Sequence, residues 1–132
     1  MKLVNRSALV LKPTAKMLDW INSAGEESDP VTPEEAQEMT NAYLLPDFED
    51  DEEQGNYIRF RAKKLFEHEL EAWCTDSRRW PSNRNYKAFT EWFRVEVSHM
   101  VYDLASDKTV CQLTRRSQVQ ILAATIVIPR TR

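Results

Sequence analysis

The feature that most constrains this chain is residues 57–73, where Ile58, Ala62, Leu65, Phe66, Leu70 and Trp73 recur at helical spacing. Arg59, Arg61, Lys63, Lys64, Glu67 and Glu71 mostly take the other side, so the spacing predicts a long amphipathic helix with one stripe to bury. The acidic run over residues 47–53 lies where the N-terminus of that helix belongs, and the backbone dipole favours negative charge there. A helix of this kind demands a second layer with an apolar face.

The remaining chain supplies one. Residues 7–12 are rich in Leu and Val and stop at Pro13, which predicts a strand. Thr14 can cap a following helix whose Met17, Leu18, Ile21 and Ala24 are helically spaced, with Gly25 just past its end. Thr32-Pro33-Glu34-Glu35 combines a capping box with proline at the first helical position and predicts one or two turns. Residues 40–45, closed by Pro46, are a second strand candidate, and residues 85–93 a short helix with Tyr86, Phe89 and Phe93 on one side. Residues 94–104 fit helical periodicity, yet three Val and a Tyr favour a strand, and a strand is the reading taken. Without a βαβ rhythm, these elements point to an α+β fold: a small, mostly antiparallel sheet of three strands, with room for a fourth, and helices packed on one face.

At 132 residues, 42% of them hydrophobic, the chain can build a single core without metal or disulfide staples. Cys74 and Cys111 are too few and too far apart for a secreted disulfide framework, and reduced thiols suit a cytoplasmic setting. The apolar stretch at residues 3–11 is broken by Asn5-Arg6-Ser7, unlike a secretion signal, and the longest apolar run, residues 121–128, is far short of the roughly 20 residues that span a bilayer. Neither membrane insertion nor export is expected.

The net charge of -3 conceals an asymmetry: residues 26–53 hold twelve acidic side chains and no Lys or Arg, while residues 59–94 hold nine basic against five acidic. Such a distribution steers partners and does not dictate a fold. Residues 109–132 differ again, with four basic side chains and no acidic one. Residues 1–107 are therefore read as a single domain and 108–132 as a C-terminal extension. Two accounts of that extension stay open. It is an edge strand over residues 118–128, or an unselected read-through tail, since Gln118-Val119-Gln120-Ile121-Leu122 can be encoded by a string containing GGTTCAAATCC, which resembles the T-arm of transfer-RNA genes.

Several chemistries are excluded or unsupported. Two glycines, Gly25 and Gly55, cannot build a phosphate-cradling loop, which removes the P-loop and dinucleotide fingerprints. None of the eight serines sits in a G-x-S-x-G elbow. His68, His99, Cys74 and Cys111 lack zinc-ligand spacing, and Glu96-x-x-His99 is one copy of a pair that needs partner helices. No metal, cofactor or catalytic residue is assigned.

The most distinctive local feature is the loop from Trp73 through Asp76, Arg78, Arg79 and Trp80 to Arg84. Trp and Arg dominate protein interface hot spots, because they combine large area with directed hydrogen bonds. The competing reading is scaffolding, in which Asp76 caps a turn or pairs with Arg84 while Trp73 and Trp80 lock the loop onto the core.

Residues 3–104 resemble a family of small bacterial proteins of no established activity. The resemblance rests on Trp73-x-Thr75-Asp76, Trp80-Pro81-x-Asn83-Arg84, Phe89-x-x-Trp92-Phe93-x-x-Glu96 and Met100-Val101-x-Asp103-Leu104. It implies a bacterial, cytoplasmic protein that ends soon after Asp103-Leu104, and no mechanism. The leading functional expectation is thus a non-enzymatic interaction or regulatory module, whose working surface toward another protein combines Trp73, Asp76, Arg78, Arg79, Trp80 and Arg84 with the acidic region before the long helix, residues 47–53. Two alternatives stand beside it: a nucleic-acid binder using Arg59, Arg61, Lys63, Lys64, Arg78, Arg79 and Arg84, which the acidic half of the chain disfavours, and a small enzyme with a carboxylate site around Glu96 and Asp103.

Overall fold

The computed structural model describes residues 1–24 and 29–105. The expectations for Gly25, Cys111 and residues 108–132 lie outside the described residues.

Alternation of buried and exposed side chains along the chain builds the sheet. Strands β1 (Lys2–Leu3), β2 (Arg6–Pro13), β3 (Asn41–Pro46), β4 (Phe93–Ser98) and β5 (Tyr102–Asp103) form two antiparallel sheets, β1-β5 and β3-β2-β4. In β2, Ser7, Leu9 and Leu11 are buried, and the register sets Leu9 opposite Tyr43 and Val97 and Leu11 opposite Asn41 and Val95. One face of the three-stranded sheet therefore presents Leu45, Phe93, Leu9 and Leu11 to the core. The other face carries Lys12, whose ammonium lies 2.9 Å from the Glu96 carboxylate, and Leu44, which is 63% exposed.

Helices α1 (Ala15–Ala24), α2 (Pro33–Glu38), α3 (Asp51–Trp73) and α4 (Tyr86–Trp92) complete the α+β mix. The 23 residues of α3 make it about 35 Å long at 1.5 Å per residue. Its Ile58, Ala62, Phe66 and Leu70 are buried in one cluster with Met17, Ile21, Leu9, Leu11, Phe89 and Phe93. Phe66 lies at the centre, with ring centroids 5.3 Å from Trp92, 5.4 Å from Phe93 and 6.2 Å from Phe89. The predicted cap at Thr32 forms, its side chain accepting from the amide of Glu35, and Asp50 and Asn85 cap α3 and α4 in the same way by accepting from Glu52 and Ala88.

Three details differ from the sequence reading. The strand expected over residues 94–104 is split into β4 and β5, because β4 follows β2 while β5 pairs with the N-terminal β1. Phe93, placed at the end of the short helix by its periodicity, belongs to β4 and pairs in register with Pro13. The Thr14 hydroxyl does not cap α1; it donates to the carbonyls of Glu91 and Trp92 at 2.8 and 3.0 Å and ties the start of α1 to the end of α4.

Candidate functional site

The Trp-Arg loop leaves the C-terminus of α3 and turns through a 3₁₀ segment, Ser77–Arg79. Asp76 caps this turn by accepting from the amide of Arg78, and it also binds the Arg78 guanidinium through Nε and Nη2 at 3.0 and 3.2 Å. These contacts hold the Asp76 carboxyl below its usual range, chiefly through the Arg78 side-chain bonds. Arg84, the alternative partner considered for Asp76, instead binds Glu67 on α3 at 3.0 Å and the Pro81 carbonyl at 2.8 Å.

Both tryptophans face inward. Trp73 and Trp80 are half-buried against the core, and the Trp80 indole donates to the Cys74 carbonyl at 2.8 Å, closing the loop on itself. The Arg84 guanidinium lies 5.8 Å from the Trp80 ring centroid. Cys74 is buried and its thiol points to the Asp76 carbonyl at 3.7 Å. Of the six residues singled out, Trp73, Trp80 and Asp76 shape the loop, whereas Arg78 and Arg79 are exposed and Arg84 is partly so.

Arg84 also borders a groove of about 310 Å³ between α3 and the segment leading into α4. Arg59, Phe60 and Lys63 line it from α3, and Ser82, Asn85 and Tyr86 from the other side. The i, i+4 spacing of Arg59 and Lys63 puts both on one side of the helix. Arg59 rests over the Tyr86 ring, 5.0 Å from its centroid, and bonds Asn56 at 2.8 Å. Lys63 has no anionic partner among the described residues. Phe60 is 86% exposed, an aromatic ring held in water beside this positive groove. Its exposure was foreshadowed by its position off the apolar stripe, but Ser82 and Tyr86 reach the groove only through tertiary packing.

A second polar cluster joins β3 to α3. The Tyr43 hydroxyl donates to the buried carboxylate of Glu69, which also accepts from the Asn41 amide at 2.8 Å. His68 Nδ1 lies 2.9 Å from the same hydroxyl. Since Tyr43 has one proton and gives it to Glu69, His68 Nδ1 must be the donor in that contact. Burial first, then the Glu69 charge, pushes the Tyr43 phenol well above its usual value.

The carboxylate pair considered for catalysis is not assembled in a cleft. Glu96 lies on the outer sheet face between Lys12 and Arg94, which hold it ionised, and neither Glu96 nor Asp103 lines the groove. Among the described residues no three His, Cys, Asp or Glu side chains form a metal-holding group, and no helix is long and apolar enough to cross a membrane.

No protein-family model matches the chain, and neither a curated protein nor a solved structure shows significant similarity to it.

Proposed function

We propose that this chain is a non-enzymatic, cytoplasmic bacterial interaction module, related to the small bacterial family its Trp-Thr-Asp and Trp-Pro-x-Asn-Arg pattern resembles, and that its groove receives an acidic segment of a partner protein. The observation that carries the reading is the combination of Lys63 and Arg59 with the exposed ring of Phe60 at one groove. Cations there attract an acidic segment over a distance set by salt, and an exposed aromatic ring offers apolar area for a partner to bury. Arg79, exposed on the adjoining loop, extends the positive surface, while the charge of Arg78 is matched by Asp76. Trp73, Trp80 and Asp76 act by holding that loop in place.

A nucleic-acid partner is supported less well. Phosphate backbones are bound by extended basic tracks, whereas α3 carries Asp51, Glu52 and Glu53 in its first turn.

The test is fluorescence anisotropy with two labelled probes, an acidic peptide of alternating Glu and Phe and a single-stranded oligonucleotide of equal charge. The peptide should bind the full chain, weaken with added salt, and bind about tenfold or more weakly to Lys63→Glu and to Phe60→Ala. Preference for the oligonucleotide, or equal peptide binding by the wild type and both variants, would overturn the reading.

A further inference from the structure

The charge balance of the groove points beyond a general attraction for acids. Arg59, Lys63 and Arg84 bring three cations to it, and Glu67, bonded to Arg84 Nε at 3.0 Å, supplies one carboxylate, leaving two positive charges uncompensated. A carboxylate of a partner carries one negative charge, whereas a phosphate monoester carries about -1.5 to -2 near neutral pH and presents three acceptor oxygens.

The donors match that demand. Arg84 commits Nε to Glu67 and Nη1 to the Pro81 carbonyl, so Nη2 retains its donors, and the guanidinium is held between the two contacts with its side chain only 22% exposed. An anchored guanidinium loses little freedom on binding an anion, which is the basis of its frequent use for phosphate. Lys63 adds a mobile point charge, and the hydroxyls of Ser82 and Tyr86 have no protein partner among the described residues. The volume, about 310 Å³, lies at the lower end of the range of about 300–1,000 Å³ usual for small-ligand sites, enough for a phosphoryl group and the side chain that carries it.

We infer that the groove formed by Arg59, Lys63, Arg84, Ser82 and Tyr86 is a phosphate-monoester site that takes a phosphorylated side chain of the partner protein. This deepens the acidic-segment reading and rests on it. Phe60, at the rim, contacts the apolar residues flanking the modified one. Binding then depends on the phosphorylation state of the partner, and the module acts as a reader of that state.

The experiment is a titration of the full chain followed by ¹H–¹⁵N correlation spectra, with three short peptides that differ only in a central phosphoserine, Glu or Ser, beside a Phe, at constant ionic strength. The phosphoserine peptide should shift the amides of Lys63, Ser82 and Tyr86, bind about tenfold or more tightly than the Glu peptide, and weaken as pH falls from about 7.5 to about 5, through the second phosphate pKa near 6. Lys63→Ala and Arg59→Ala, both at exposed positions, should each reduce that preference, and Arg94→Ala on the outer sheet face should not. Equal binding of the phosphoserine and Glu peptides would overturn the phosphate assignment while leaving the acidic-segment reading intact. Failure of both peptides to shift these amides would overturn both. Adenosine monophosphate, titrated in parallel, overturns the protein source of the phosphate if it binds more tightly than the phosphoserine peptide.

Discussion

The indole Nε1 of Trp20 donates a 2.9 Å hydrogen bond to the backbone carbonyl of Arg79, joining α1 to the 3₁₀ turn 59 residues further along the chain. The Trp20 ring also lies edge-on to Trp92, with centroids 6.2 Å apart, so one side chain couples α1, the Trp-Arg loop and α4. Trp20→Phe keeps most of the apolar area and removes the donor. It should cost about 1–3 kcal/mol, the penalty for leaving a partly buried carbonyl without its partner, measured as a lowered urea midpoint. Arg79 and its neighbours should show faster amide exchange, since the turn loses its tie to α1.

Phe66 has no exposed surface and touches three aromatic rings at the centre of the core. Phe66→Ala removes those contacts and leaves a cavity, an expected loss of about 3–5 kcal/mol against a total stability of about 5–15 kcal/mol. Circular dichroism during thermal unfolding should show a fall in Tm of ten degrees or more, on the order of 4–8 °C per kcal/mol for a domain of this size.

The Tyr43 phenol is raised in the folded chain, so its neutral form is favoured there relative to the unfolded chain. The corresponding stability is fully present below the unfolded value of about 10 and is lost as pH rises from there through the folded-state value. Alkaline unfolding should therefore set in above about pH 10 and be accompanied by phenolate absorbance, and in Tyr43→Phe that contribution to the alkaline slope should disappear. The variant starts from a lower stability at neutral pH, because Glu69 loses a donor while remaining buried.

Asn85 accepts from the amide of Ala88 at 2.9 Å and begins α4 beside the groove. Asn85→Ala should cost about 1 kcal/mol of stability, the usual value of an N-cap. Because the same residue borders the groove, acidic-peptide affinity should fall in Asn85→Ala and recover in Asn85→Asp only if cap geometry, and not local charge, governs it.

Much of the fold was legible in order. The apolar stripe of α3, the acidic run at its N-terminus, the proline-terminated strands β2 and β3, and the cap at Thr32 are local patterns, and local patterns survive folding because the partners lie close in sequence. The split of residues 94–104 was not legible, since apolar β-branched residues suit a helix stripe or a strand equally and only pairing with β2 and β1 separates them. The role of Trp20 is likewise non-local: nothing in its sequence neighbourhood signals a carbonyl at Arg79, 59 residues away.

For the site, the sequence by itself determined that residues 74–84 form a loop which, with Trp73 before it, is dense in Trp and Arg, and that the preceding helix is basic in its middle. Tertiary structure alone decided which of those side chains remain available. Trp80 turned inward because its indole found the Cys74 carbonyl, Asp76 was taken by Arg78, and Arg84 was aimed by Glu67 into a groove shared with Lys63. Residue type and helical spacing are written in the chain, but the direction of a long side chain is chosen by whichever donor, acceptor or ring the fold brings within reach, and that choice made the groove, not the loop, the surface left open.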